Sequence, residues 1–204
     1  MKSPKSVAKL DELGRVRLSQ NFFMRDFLYS EIANLHGIPN IAIEAGSRLC
    51  QELLEPLNAT FGRIAIRSAY RSPAVNQFGN ENGHNCASNE ANYASHIWDR
   101  RDAQGRMGAT ACIVIPWFSG RYEAGEDWRA LAWWIHDHLP YSSLYFFPTS
   151  AAFNIAWREE PERRIDSYVA PKGCLTRLGM AGHEGDHSSL YPGFPSLMTT
   201  VRTA

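Results

Sequence analysis

The run Ala109-Thr110-Ala111-Cys112-Ile113-Val114-Ile115-Pro116 carries no charge and places apolar side chains at both its odd and its even positions. A strand sends successive side chains to opposite faces, so a run of this kind belongs at the centre of a sheet, where both faces are covered. The rest of the chain must supply the cover. Ile64-Ala65-Ile66 predicts an earlier strand, and residues 143–147 and 152–157 predict a strand pair across the turn Pro148-Thr149-Ser150. Apolar side chains recur at helical spacing in three places: Phe22, Phe23, Phe27, Leu28, Ile32 and Leu35; Ile41, Ala45, Leu49, Leu53, Leu54 and Leu57; and Trp128, Leu131, Trp134, Ile135 and Leu139. These predict helices near 24–36, 41–57 and 126–139, stopped by Gly37 and Pro39, by the Pro56 to Gly62 segment, and by Pro140. Apolar helix stripes can only be buried against the sheet, which gives a single α+β domain with a small central antiparallel sheet flanked by helices.

Residues 1–20 read as an arm with an edge strand around Val16-Arg17-Leu18, residues 21–157 as the domain itself, and residues 158–204, where charge, Pro and Gly alternate, as an extension packed on the same domain. At 204 residues the chain is long enough to bury roughly 70% of its unfolded surface. Lys plus Arg and Asp plus Glu both number 21, so no net field recruits a polyanion and no nucleic-acid partner is expected. No apolar run reaches the length of a membrane span, and the polar, basic first 20 residues lack the apolar segment of a secretory signal, so the expectation is a cytoplasmic protein. The cysteines Cys50, Cys86, Cys112 and Cys174 are widely spaced, which points away from a disulfide framework or a zinc ribbon.

The chemistry concentrates between the first two strands. Arg67-Ser68-Ala69-Tyr70-Arg71-Ser72-Pro73 follows the first strand, then residues 79–94, with five asparagines and almost nothing apolar, read as a long surface loop leading to Ser95-His96. A guanidinium fork at Arg71 beside the Ser68 hydroxyl matches a carboxylate or phosphate. Ser-Ala-Tyr-Arg-Ser-Pro, then Ser95-His96, then the Gly108-Ala109-Thr110-Ala111-Cys112 run resemble the zinc D-alanyl-D-alanine carboxypeptidases and phage endolysin peptidases, which share a hedgehog-like α+β fold; the resemblance spans about residues 21–157.

That resemblance implies a zinc held by His, Asp and His, with an acidic general base three residues before the last His and a metal-bound water as nucleophile. Here His96 stands at the first ligand, Cys112 where the Asp should be, Asn154 at the second His and Ala151 at the base. Thiolate is a zinc ligand, whereas an amide is a poor one and a methyl group relays no proton. Zinc is therefore possible on His96 and Cys112 only with replacement ligands, for which His183, Asp186 and His187 are the leading candidates, beside His84, Cys86, Asp99, Asp102 and Glu184. The expectation is a divergent member of this fold whose family-type hydrolysis is impaired and which binds a small anionic ligand or peptide through Ser68, Arg71, Ser95, His96 and Asn154. A protein partner in the same cleft, and an active zinc peptidase acting on peptidoglycan stem peptides, are the competing expectations. His136 and His138, at the end of the third helix, are expected to do no more than favour its dipole.

Overall fold

The structure is a computed structural model that describes residues 15–28, 40–84 and 86–198. One six-stranded sheet runs in the order β1-β2-β4-β3-β5-β6, from β1 (Ala65–Ser68), β2 (Gly108–Val114), β3 (Ser143–Phe146), β4 (Phe153–Arg158), β5 (Arg164–Ser167) and β6 (Gly173–Thr176). The expected α+β class and the strand pair β3/β4 are present. The sheet is mixed, because β5 runs parallel to β3 while every other pairing is antiparallel. β5 and β6 fall in the stretch whose Pro and Gly content masked any strand period, and they carry the chain after residue 158 into the same sheet.

Alternation along the strands sorts the two faces. Ala109, Ala111 and Ile113 of β2, Phe153 and Ile155 of β4, and Leu144 and Phe146 of β3 are buried on one side. Helix α1 (Asn40–Leu49) packs there on β2 and β4. It continues through a π-helical turn (Cys50–Leu54) into α2 (Glu55–Phe61), which ends four residues past 57 but within the expected Pro56 to Gly62 stop. The wide turn falls immediately before Pro56, whose missing N–H and bulky ring do not fit a regular helical turn, so the chain widens there instead of stopping. Leu49, Leu53, Leu54 and Leu57 keep one buried stripe through it.

The expected helix near 24–36 is reduced, within the described residues, to the 3-10 turn Met24–Phe27; the remainder of that expectation falls mostly on 29–39, outside them. The N-terminal segment is anchored by the buried Glu55 carboxylate, which accepts from the Ser19 hydroxyl at 2.6 Å and from the backbone and side-chain amides of Asn21 at 2.5 and 2.6 Å. The apolar run after β2 does not stay extended: Pro116, with φ preset for a first helical turn, opens α5 (Pro116–Glu123), which follows α3 (Pro73–Glu81) and α4 (Asn89–Asn92). Helix α6 (Trp128–His138) lies close to its expected place and lays Trp128 against Phe146, ring centroids 5.0 Å apart. Trp98, Trp128, Trp134, Phe146 and Phe153 belong to one continuous core. Among the described residues no helix is long and apolar enough to cross a membrane.

Candidate functional site

The opposite face of the sheet carries the candidate site. A single row crosses all six strands in register: Ser68, Cys112, Asn154, Tyr145, Asp166 and Cys174. The run expected at the centre of the sheet is instead second in the order, beside the edge strand β1, and with Cys112 and Asn154 only half-buried β2 is covered on both faces only over its first residues. Three positions singled out in the sequence, Ser68, Cys112 and Asn154, thus meet side by side. Among the described residues the side chains of Ser68, Cys112 and Asn154 make no hydrogen bond.

The segment carrying His96 is pressed onto one end of this row by backbone contacts. Thr110 N–H donates to the Ser95 carbonyl at 3.0 Å, Arg71 N–H to the His96 carbonyl at 2.8 Å, and the Ser95 and Thr110 hydroxyls meet at 3.3 Å. The Ala94 carbonyl comes so near β2 that a Cβ at position 108 would lie 2.2 Å from its oxygen, which is why glycine stands there. His96 Nδ1 is 2.9 Å from the Ala69 carbonyl. A carbonyl only accepts, so Nδ1 carries the proton and Nε2 keeps its lone pair. Burial, then the neighbouring Arg71 charge, outweigh that hydrogen bond and lower the His96 pKa to about 4, so the ring is neutral at physiological pH. The Cys112 thiol is pushed up by burial, only partly offset by Arg67 and Arg71, and stays protonated.

Arg71 follows β1 and reaches into a cleft of about 290 Å³ lined by Ser68, Val75, Phe78, Gly79, His84 and Cys86. Its Nη1 donates to Asn76 Oδ1 at 3.3 Å and to Cys86 Sγ at 2.8 Å. Its Nε is buried with no hydrogen-bond partner among the described residues. No carboxylate among them pairs with it. The segment expected to be a long loop is held by asparagines of its own and by Asn76 just before it: Asn76 Nδ2 donates to the Ala87 carbonyl and to Asn89 Oδ1, and Asn92 Nδ2 donates to Asn76 Oδ1. Their amides supply the partners that a helix or strand ladder would otherwise provide, and α3 and α4 form around them.

The suggested replacement ligands do not join His96 and Cys112. His183 and His187 gather on α6, while Asp186 is exposed and caps Ser188 N–H. His136, Asp137 and His187 offer ligand atoms all within 4.8 Å of one another, a group that can hold a metal ion, and among the described residues no other such group occurs. Their atoms are already engaged. Tyr141 donates to His136 Nδ1 at 2.7 Å, and His136 Nε2 donates to the His183 carbonyl at 2.8 Å. His187 faces acceptors on both sides, Asp137 Oδ1 at 2.6 Å and the Gly182 carbonyl at 2.9 Å. Two acceptors require two protons, so His187 is an imidazolium. Burial alone would depress it, but the Asp137 and Gly182 hydrogen bonds and the Asp137 charge raise its pKa above the ordinary value. The Trp133 ring stacks on it at 4.1 Å. His136 is therefore a buried connector between α6 and the C-terminal segment, more than a helix-end charge. The periodicity of α6 marked its apolar stripe and gave no sign that Asp137 had a partner 50 residues on.

Comparison with protein families, with curated proteins and with solved structures finds no match to this chain.

Proposed function

We propose that this chain is a divergent D,D-peptidase-like protein that binds the carboxylate of a small acid or peptide on Arg71, with hydrolysis by the family's route impaired. The observation that carries the reading is the state of Arg71: a guanidinium on the wall of an open cleft, flanked by a neutral amide and a thiol, with a buried Nε that no described residue satisfies. No carboxylate among the described residues pairs with this guanidinium, so a ligand carboxylate entering the cleft would meet an unneutralised charge whose hydrogen bonds are about twice as strong as neutral ones. Ser68, on the same cleft wall, adds a hydroxyl. A protonated thiol at Cys112, an amide at Asn154 and a methyl group at Ala151 support impaired hydrolysis.

Thermal-melt shifts with D-amino-acid dipeptides, other small carboxylates and inorganic phosphate, run on the parent and on Arg71→Ala, test it. A carboxylate should stabilise the parent, and the substitution should weaken its binding by about 2 kcal/mol, since a charged hydrogen bond contributes about 1.5 to 3. A variant that unfolds without ligand would make Arg71 structural, and a parent that responds to none of these would remove the acid-binding reading.

One observation favours the alternative, an active zinc peptidase on peptidoglycan stem peptides: His96 is neutral with Nε2 unengaged, the form a metal requires. Zinc would have to draw the proton off Cys112 and find a third ligand. Stoichiometric zinc by elemental analysis, lost in Cys112→Ser, would support it.

A further inference from the structure

Beyond Asn154 the same sheet face changes character. Tyr145, Phe147 and Tyr168 stand together, with ring centroids 4.6 Å apart for Tyr145 and Tyr168, 5.7 Å for Tyr145 and Phe147, and 5.8 Å for Phe147 and Tyr168. With Asn154 they line a cleft of about 520 Å³. Tyr168 is 54% exposed, in a chain whose tryptophans are all buried except the half-buried Trp117. Asn154 offers an amide donor and an amide acceptor to this space, and no described residue takes either. Asp166 is the register partner of Tyr145, and Arg164 holds it through Nε at 2.5 Å and Nη2 at 2.9 Å.

We infer that this cleft binds a neutral saccharide, one sugar ring lying on the Tyr145, Phe147 and Tyr168 platform with its hydroxyls on the Asn154 amide. A pyranose has a face of C–H groups that packs on the electron-rich face of an aromatic ring, and a girdle of hydroxyls that both donate and accept. An aromatic platform with one free amide supplies both halves of that match, and the volume suits one or two sugar rings. An acidic ligand fits poorly, because no cation lines the cleft and Arg164, on the neighbouring strand, is already bidentate on Asp166. A nucleotide would need cations for its phosphate that the lining residues do not provide. Tyr145 lies three strands from Ser68 along the row, about 14 Å at the usual strand spacing, so this site is separate from the Arg71 cleft and its case does not depend on acid binding there.

Titration of the intact protein with cellotriose, chitotriose, maltotriose and xylotriose, followed by calorimetry and amide chemical shifts, tests the inference. At least one should bind with a Kd on the order of 1 mM or tighter, and Tyr168→Ala and Asn154→Ala should each weaken it about tenfold or more. Both variants should melt with the parent, since Tyr168 is exposed and the Asn154 amide has no partner among the described residues. Arg71→Ala should leave sugar binding unchanged, which separates this site from the acid-binding one. Failure of all four sugars to bind at roughly 10 mM, sugar binding that survives both substitutions, or a proline-rich peptide that binds through Tyr168 where the sugars do not, would each overturn it.

Discussion

His96 shows how a single side chain acquires a chemical state from its surroundings. The Ala69 carbonyl selects the tautomer, and burial beside the Arg71 charge removes the proton from the other nitrogen down to about pH 4. The sign of the linkage follows. Between the ordinary histidine value and about 4, the unfolded chain takes up a proton that the folded chain refuses, so stability is complete above that window and is lost as pH falls through it. The loss attributable to His96 should approach about 3 kcal/mol, and His136, whose pKa burial also lowers, adds to it in the same direction. Denaturant melts between pH 7 and 4 should show the decline, less steeply in His96→Gln, and the His96 ring resonances should titrate near 4. Titration near 6.5 would mean that the ring is open to water.

At the scale of elements, the seating of the Ser95-His96 segment depends on how close it can come to β2. Gly108 permits that approach, and the Thr110 N–H to Ser95 carbonyl bond fastens it. Gly108→Ala would put a methyl group into the Ala94 carbonyl, which is backbone and cannot rotate away. Such overpacking costs about 1 to 3 kcal/mol, and the displacement should also loosen His96. The measurement is a melt together with the His96 titration: destabilisation with the His96 pKa moving up towards its ordinary value is the expected result. An unchanged melt would mean that the segment adapts at little cost. The π-helical turn before Pro56 belongs to the same scale, since one residue lacking an N–H reshapes a helix without ending it.

For the whole molecule, the segment after β6 acts as a strap. Trp134 Nε1 donates to the Pro195 carbonyl at 2.9 Å, Phe194 packs on Phe61 and Trp117, and Tyr191 donates to Asp137 at 2.8 Å. Asp137 also accepts from the backbone N–H and the ring of His187, which makes this carboxylate the main polar anchor of the strap. Asp137→Asn should lower stability by about 1.5 to 3 kcal/mol at neutral pH, the range for a hydrogen bond to a charged group. His187 has a raised pKa, so its contribution is complete below the ordinary histidine value and is lost as pH rises through the folded value. Stability should therefore decline on the alkaline side as well as the acid side, and the alkaline limb should flatten in Asp137→Asn. An alkaline limb identical in the two proteins would show that the pair does not hold the strap.

Local pattern carried a large part of this architecture. Alternation and apolar runs marked β1 to β4, helical spacing marked the stripe of α1 and α2 and that of α6, and the burial of Trp128 and Trp134 follows from the α6 period. These features are legible because each is decided by side chains a few residues apart, whose burial repeats with the geometry of one element. The choice of Ser68, Arg71, His96, Cys112 and Asn154 as positions of interest also came from sequence, through motif likeness, and the register brings Ser68, Cys112 and Asn154 into one row. The strands β5 and β6, the asparagine network behind α3 and α4, the Asp137–His187 pair and the aromatic cleft had no local signature. Each depends on partners brought together from distant segments, as when β5 lies parallel to β3 and sets Asp166 against Tyr145. A buried polar group or a strand without period is specified by its neighbours in space, and only the tertiary structure supplies those neighbours.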